Sequence, residues 1–340
     1  MNKKLWLLGL FALISPFAAL FFGAANLSAI ELMSCLTVGC SSDVNQMIFW
    51  EIRAPRVFVG FLVGSGLAVA GATLQNVTRN GLADPYLFGV VSGAGLGASV
   101  ATLLFDSNLA ENLGLQQVLP EISFSLALPF AAFLGALFSV ILVQILVART
   151  FGSKTEHMLL AGIAVSFMLS ALSHFILFMA EPFAANKVIF WLMGSLARIE
   201  IWYAWVILPV LLVSVALLYL YGRHLDALLI GDDNAKTLGV HVPQLRILSL
   251  AICAALTACI VAYCGGIGFV GLMIPHIIRN WLGVTSRILI TGCILLGGSF
   301  LVWVDVMARV TLANQEIPIG IITSAIGSVF FLIAMRQRTP

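Results

Sequence analysis

Charged residues make up only 9% of this 340-residue chain, whereas a soluble domain carries about 25%. Hydrophobic residues account for 61%, so the chain lacks the polar surface of a soluble domain and is too apolar for intrinsic disorder. Its net charge of +2 does not indicate a nucleic-acid binder. Long uncharged runs stand in place of the alternating segments of about ten residues that β-barrels show. The composition therefore predicts an all-α polytopic membrane protein.

Sequence motifs for nucleotide, cofactor and metal chemistry are also lacking. The string most similar to a phosphate-binding loop, at residues 152–155, lacks both the first glycine and the Gly-Lys pair. The five histidines have no metal-ligand spacing. Glycines at 93, 95 and 97 lie inside an apolar segment with no preceding strand, which favours helix packing over dinucleotide binding. We therefore predict no catalytic residue, no cofactor and no metal site, and no enzymatic activity in this chain.

Ten apolar segments are candidates for transmembrane helices, each of which needs about 20 residues. They lie at residues 5–25, 54–77, 86–105, 122–147, 157–180, 201–221, 246–264, 268–281, 287–307 and 317–335. The eighth is short, and a further apolar stretch at 188–199 is too short to cross, so we predict an interfacial helix anchored by Trp191. Because no soluble domain separates the predicted spans, we predict that residues 1–340 form a single transmembrane domain.

The distribution of basic residues predicts the orientation, because loops rich in Lys and Arg stay in the cytoplasm. An even number of spans places both termini on one side. Twelve of the 17 lysines and arginines fall on that side and five on the other. We therefore expect both termini to be cytoplasmic, whereas most acidic residues, including Asp305 and Glu316, lie at or near the outside.

The longest inner segment, residues 222–245, is predicted to have structure of its own. Asp232 or Asp233 can cap a short helix that runs through Leu238, and Gly239 can end it. Two short helices on the cytoplasmic face would make a candidate docking surface for a partner.

Arginines at the outer end of two predicted spans are unusual because few basic residues fall on that side, and the pair at the start of the second span also opposes the dipole at a helix N-terminus. Arg53 and Arg56 open the second span, and Arg309 lies at the outer end of the ninth. They either reach lipid phosphates or pair with a protein that docks from outside. A polar turn at residues 75–85 and a glycine-rich run at 265–279 further indicate a broken helix or close helix packing.

The sequence motifs described above, in their order along the chain, resemble those of permease subunits of the FecCD family. These subunits belong to type II binding-protein-dependent ABC importers for ferric siderophores, haem and vitamin B12. The resemblance covers nearly the whole chain and rests on residues 53–56, 78–85, 160–162, 191–196, 229–239, 267–276, 305–309 and 316–320. The chain departs from the family pattern at Gly81, where the family has proline, and at Val284–Arg287, where only the arginine of Asp-His-Arg is kept.

This resemblance implies a type II ABC importer permease fold of ten helices in the bacterial inner membrane. It implies a homodimer with a central pathway, two cytoplasmic ATPase subunits that hydrolyse the ATP, and a periplasmic substrate-binding protein. The expected substrate is an iron chelate, a ferric siderophore or haem, with vitamin B12 or a molybdate-type oxyanion as alternatives. An ion-coupled secondary transporter is a rival, but it predicts carboxylates at the midplane of the membrane, and none is evident.

The resemblance also assigns roles to residues. Arg53, Arg56 and Arg309 would pair with acidic groups of the binding protein. Contact with the ATPase would involve Gly231, Asp232, Asp233, Ala235, Leu238 and Gly239. The cytoplasmic gate would lie at Gly152, Ser153, Lys154 and Thr155. The fifth and tenth spans would line the pathway, with possible contributions from Met158, Met168, His174 and Met179.

Some of these residues have a second interpretation that the sequence leaves open. The three methionines suit core packing as well as a pathway wall, and for His174 a packed core histidine is the interpretation we favour. Cys35 and Cys40 share an outer segment, where their spacing permits a disulfide without requiring it. The four remaining cysteines are predicted to be small apolar fillers within spans.

Overall fold

The computed structural model describes residues 3–23, 28–37, 39–105, 124–147, 155–312 and 315–336. Within these ranges the secondary structure is helical, without strands. The α-helices are α1 (Lys3–Leu20), α2 (Ala29–Thr37), α3 (Asp43–Gln46), α4 (Ala54–Thr78), α5 (Val90–Phe105), α6 (Phe124–Leu146), α7 (Thr155–Met179), α8 (Pro182–Leu192), α9 (Ile201–Leu220), α10 (Gly222–Leu229), α11 (Asp232–Thr237), α12 (Val242–Cys264), α13 (Val270–Leu282), α14 (Ser286–Val310) and α15 (Ile319–Arg336). A π-helical segment (Met47–Arg53) joins α3 to α4, and a 3-10 turn (Pro85–Phe88) precedes α5.

The ten predicted spans correspond to α1, α4, α5, α6, α7, α9, α12, α13, α14 and α15. Seven of the described helices are long and apolar enough to cross a bilayer, and α5 and α15 are shorter apolar helices. Helix α13, the predicted eighth span, has 13 residues. It is therefore about 20 Å long, against a hydrocarbon core of about 30 Å. The all-helical polytopic prediction is confirmed over the described ranges, with α13 too short to span alone.

A non-helical segment at residues 265–269 separates α12 from α13. Phe269, which precedes the first residue of α13, has a φ of 67°, a region that residues other than glycine seldom adopt. The phenol of Tyr86 binds this segment twice, donating to the carbonyl oxygen of Ile267 at 3.0 Å and accepting from its amide at 2.9 Å. The predicted helix break at the glycine-rich run is thus present, and side-chain hydrogen bonds hold it in place.

Helix α4 is at the centre of the bundle. Of its 25 residues, 22 are buried, and α9, α12, α13 and α14 pack around it. Glycine and alanine dominate its middle turns, which lets the neighbouring backbones come close. At Gly64, a Cβ atom would lie only 2.2 Å from the carbonyl oxygen of Gly297 in α14. The position of α4 therefore depends on the absence of side chains along this contact.

The glycine pattern at residues 93–97 packs in the same way. A Cβ atom on Gly93 of α5 would lie 2.3 Å from the carbonyl oxygen of Gly135 in α6. The helix-packing interpretation of this pattern is confirmed.

The short helices differ from the predictions at their ends. Helix α8 contains Trp191 but begins at Pro182, because proline suits the first turn of a helix. The two predicted inner helices are present as α10 and α11, and Gly239 (φ 81°) follows the second. The predicted cap is wrong: Gly231 occupies the N-cap position, while Asp232 is the first helical residue. The Asp232 carboxylate is engaged by arginines from other helices instead.

The cysteines divide as two kinds. Cys35 and Cys40 form a disulfide in the outer segment, which settles the pairing that the sequence left open. The four others are free and buried, as predicted for apolar fillers: Cys253, Cys259, Cys264 and Cys293.

Asp84 terminates the polar turn after α4. Its side chain is buried and accepts a hydrogen bond from the amide of Tyr86 at 2.8 Å, which caps the 3-10 turn. Burial raises the pKa of Asp84 from 3.8 to about 6, although the hydrogen bond from Tyr86 opposes this shift. The charged form is therefore less stable in this turn than it is in the unfolded chain.

We predict that Gly64→Ala destabilises the protein, because its Cβ atom collides with backbone rather than with a movable side chain. Overpacking of this kind costs about 1–3 kcal/mol. Gly9→Ala is the matched control, since Gly9 of α1 has nothing within 4 Å of its Cβ position. Thermal unfolding in detergent should show a lower Tm for the first variant only. Equal Tm values for the two variants would show that α4 and α14 can separate at little cost.

We predict that Asp84→Asn stabilises the protein increasingly as the pH rises from 4 to 7. Asparagine keeps the acceptor oxygen but carries no charge, whereas the raised pKa penalises the aspartate once it ionises. The difference approaches about 3 kcal/mol at pH 7 for two pKa units. Thermal unfolding across this pH range is the measurement, with Asp233→Asn as control because its side chain is 96% exposed. An Asn variant that is less stable than wild type at pH 7 would contradict this account.

Candidate functional site

An ion-pair cluster joins the first turn of α4 to the last turns of α14. Arg56, in the first turn of α4, directs its Nε atom to Asp305 Oδ1 at 2.8 Å. Arg309, one helical turn beyond Asp305 on α14, contacts Asp305 Oδ2 through its own Nε at 3.1 Å. Helix geometry brings residues at this spacing together. One carboxylate therefore binds two arginines from two different helices.

All three members of this core are buried, with Arg56 4%, Asp305 1% and Arg309 5% exposed. Buried charges are stable only when they are paired and hydrogen-bonded. The Nη2 atom of Arg309, however, has no hydrogen-bond partner among the described residues. The cluster thus contains one buried hydrogen-bond donor that has no acceptor among the described residues.

Glu316 completes the cluster at its rim. Its Oε1 atom lies 2.9 Å from Nη1 of Arg56, and its side chain is 37% exposed. Glu316 belongs to the non-helical residues 315–318 that lead into α15. The amide of the next residue, Ile317, donates to the carbonyl oxygen of Ala308 at 3.1 Å. The segment before α15 is therefore tied to both α4 and α14.

Arg53 has a separate local role. It is 3% exposed, and its Nη1 atom donates to the carbonyl oxygen of Leu20 at 2.8 Å. Leu20 is the last residue of α1, where carbonyl groups have no partner within the helix. Arg53 thereby caps α1 and joins it to the segment that precedes α4.

These contacts change how the three outer arginines are understood. They do not extend to lipid phosphates, since each is buried and each contacts an oxygen atom of its own chain. Docking of an outer protein on them stays a prediction. From the sequence, Asp305 is expected among the outer acidic residues, without a partner. The four-residue spacing between Asp305 and Arg309 was the available signal.

A second polar network lies at the opposite ends of the same helices, around α11. Asp232 Oδ1 accepts from Arg79 Nη2 at 3.0 Å and from Arg246 Nη2 at 2.9 Å. Arg79 follows the last residue of α4, and Arg246 lies in the first turns of α12. Helix α11 is thereby attached to two helices of the bundle through one carboxylate.

Helix α10 is attached to α14 in a comparable way. Asp226 of α10 accepts from the amide of Ser286, the first residue of α14, at 2.7 Å. The Ser286 hydroxyl in turn accepts from Asn76 of α4 at 3.2 Å. Asn76 accepts from Nη2 of Arg279 in α13 at 2.9 Å, and Gln75 accepts from Nη1 of the same arginine. A continuous chain of hydrogen bonds therefore runs from α10 to α13.

The residues assigned to ATPase contact divide between the surface and the interior. Ala235 is fully buried, whereas Leu238 is 66% exposed, and Asp233 is paired only with Lys236 of its own helix among the described ion pairs. Gly231 and Gly239 bracket α11 with positive φ angles. The structure thus presents Asp233 and Leu238 outwards and uses Asp232 to attach the helix.

The residues assigned to the pathway also divide. Met168 and Met179 of α7 are 47% and 68% exposed, and His174 is exposed as well. The favoured interpretation of His174 as a packed core histidine is therefore wrong: its side chain faces away from the helices that α7 packs against. Met158 is 7% exposed and belongs to the core. Of the predicted gate, Gly152, Ser153 and Lys154 lie outside the described residues, and Thr155 is described only as the first residue of α7.

Comparison with known proteins places this geometry in a family. The model of the FecCD transport family matches residues 10–337. The cobalamin import system permease protein BtuC of Halobacterium salinarum is 38% identical over 296 residues, covering 87% of this chain and 75% of that protein. The hemin transport system permease protein HmuU of Yersinia pestis is 33% identical over 322 residues, covering 94% of this chain and 92% of that one.

A solved structure agrees over the full length. A protein described as a metal-chelate type ABC transporter, in an inward-facing conformation, superposes with a TM-score of 0.83 at 28% identity. The match covers 99% of this chain and all of that one. The chain therefore belongs to the FecCD transport family and has the fold of a type II ABC importer permease.

Proposed function

We propose that this chain is the membrane-spanning subunit of an importer that takes up a metal held in a large organic chelate. The observation that carries the proposal is the arrangement of the two polar networks. The same helices, α4 and α14, end in the arginine cluster on one side and in the Asn76–Ser286 hydrogen bond on the other. Rigid helices that join two binding surfaces can pass a displacement from one surface to the other.

The substrate class follows from the relatives and from the apolar surface of α7. The two relatives described above are named for cobalamin and hemin, and in both ligands an organic macrocycle holds the metal. An iron chelate, either haem or a ferric siderophore, agrees with the hemin relative, and a corrinoid agrees with the 38% identical relative. Exposed side chains such as Phe167 and Met179 on α7 suit weak contact with a large organic ligand.

The proposed assembly is a homodimer with two ATPase subunits in the cytoplasm and a binding protein outside. Helices α7 and α15 carry exposed apolar residues, among them Phe178 and Leu332. In a dimer these faces would line the pathway or cover one another. Both termini would be cytoplasmic, which places α10 and α11 towards the ATPases and the arginine cluster towards the binding protein in the periplasm.

In the proposed mechanism the ATPases move α10 and α11, and the attached helices follow. The exposed side chains of Asp233 and Leu238 on α11 face the ATPase. Asp232 transmits the movement of α11 to α4 and α12 through its two arginines. Asp226 transmits the movement of α10 to the start of α14. The permease contributes no catalytic group to ATP hydrolysis, which takes place in the partner subunit.

The first test is uptake into proteoliposomes that contain the permease, its ATPase and its binding protein. We expect ATP-dependent accumulation of one member of a panel of ferric siderophores, haem, cobalamin and molybdate. Accumulation that needs both partners would support the importer and identify the ligand. Accumulation of molybdate alone would overturn the chelate class. Uptake driven by an ion gradient without the ATPase would overturn the importer itself.

The second test concerns the attachment of α11. We predict that Asp232→Asn lowers the number of ligands transported per ATP by at least about fivefold, because the two arginines lose their shared carboxylate. ATP hydrolysis itself should persist. Asp43→Asn is the matched control, since it removes the same charge from an exposed position of α3, which has no proposed contact with the ATPase. Equal coupling ratios in the two variants would show that Asp232 does not transmit the movement.

A further inference from the structure

We infer that Glu316 is an internal latch on the docking arginines. It occupies, on Arg56, the place that a carboxylate of the outer partner takes, and docking exchanges one carboxylate for the other. This inference rests on the proposed function, because it requires an acidic partner on the outer face. Beyond the proposed function, it identifies Glu316 as the residue that controls access to the cluster and α15 as the helix that moves in response.

Burial of the arginines makes such an exchange necessary. Arg56 and Arg309 are 4% and 5% exposed, so a partner cannot reach their guanidinium groups by lying on the surface. Glu316 is the member of the cluster with the largest exposed fraction, at 37% of its side chain. A carboxylate from outside gains access to Arg56 Nη1 when Glu316 moves aside.

The two carboxylates of the cluster are not equivalent. Asp305 is 1% exposed, is part of α14 and contacts both arginines. Removing it would leave buried charges uncompensated, which is strongly unfavourable. Glu316 makes a single described ion pair, lies outside a helix and is partly solvated, so its carboxylate can leave the pair for water more readily than that of Asp305. Glu316 is therefore the exchangeable carboxylate and Asp305 the fixed one.

The cluster is also prepared to bind a further carboxylate. The two arginines and two carboxylates of the cluster give a formal charge of 0, which becomes +1 when Glu316 leaves. Nη2 of Arg309 has no hydrogen-bond partner among the described residues, and Nη1 of Arg56 is released by the exchange. Both guanidinium groups bind the same Asp305, so they are neighbours. These two guanidinium nitrogens can donate hydrogen bonds to an incoming carboxylate, and the positive charge favours its approach.

Release of Glu316 acts at the outer end of α15. Glu316 precedes the first residue of this helix by three positions. The same end is held by two backbone hydrogen bonds, from Ile319 to Gly194 at 2.9 Å and from Gly320 to Met193 at 3.1 Å. When the Arg56 contact is lost, these two bonds and the Ile317–Ala308 bond are the described hydrogen bonds that still hold residues 316–320 to the rest of the bundle. Docking would thereby shift the equilibrium between two positions of α15.

The test compares Glu316→Gln with wild type in the assembled transporter. The control is Glu181→Gln, which removes the same charge from an exposed position at the start of α8. Hydrogen–deuterium exchange is measured first, without the binding protein. We expect amide exchange at Ile317, Ile319 and Gly320 to be at least about threefold faster in Glu316→Gln, because the segment opens more often. The control should match wild type, and unchanged exchange in Glu316→Gln would overturn the latch.

Affinity for the purified binding protein is measured next. We expect Glu316→Gln to lower the Kd by about threefold to tenfold, since the competing carboxylate is gone. The gain should shrink at high salt and disappear in the Arg56→Gln background. An unchanged or higher Kd would overturn the exchange. If wild type shows neither binding nor stimulated ATP hydrolysis, the proposed function fails, while the exchange measurement still decides whether Glu316 holds the segment.

Discussion

Backbone contact between α4 and its neighbours determines how the rest of the bundle is arranged. Because glycines such as Gly64 have no side chain, α14 lies against α4 over most of its length. The ends of the two helices are then held at fixed separations. That geometry brings Arg56 to Asp305 at one end and Asn76 to Ser286 at the other. Close apolar packing and the two polar networks therefore depend on each other.

Polar side chains in this protein are concentrated where helices begin and end. Asp305 and Arg309 lie in the last turns of α14, and Gln75, Asn76 and Arg79 lie at the end of α4. The hydrocarbon region disfavours unpaired charges, and these charges are paired within the chain. In the proposed function, the internal contacts hold these groups between binding events.

Most of the fold was predictable from the sequence because hydropathy reports span positions directly. The inner helices α10 and α11 were also predictable, since their polar and glycine residues interrupt the apolar pattern. The pairing of Arg56 with Asp305 joins residues 249 positions apart, and local patterns carry no information at that distance. The predicted N-cap of α11 was wrong because it also depends on distant contacts. Asp232 suits an N-cap by its local sequence, but arginines far away in the chain bind its carboxylate. The core position predicted for His174 differs from its exposure in the chain, and the sequence did indicate the packed face of α7, where Ser170 and Ser173 contact α5.

The hydrogen bonds at the start of α15 have a consequence for the synthesis of the protein. The carbonyl oxygens of Met193 and Gly194 accept from amides that belong to Ile319 and Gly320, more than 120 residues later in the chain. Backbone groups in a lipid environment have no water to replace such donors. The junction between α8 and α15 therefore reaches its full set of hydrogen bonds only when α15 has been inserted. Until then, the earlier helices can be present while the carbonyl groups of Met193 and Gly194 lack these donors.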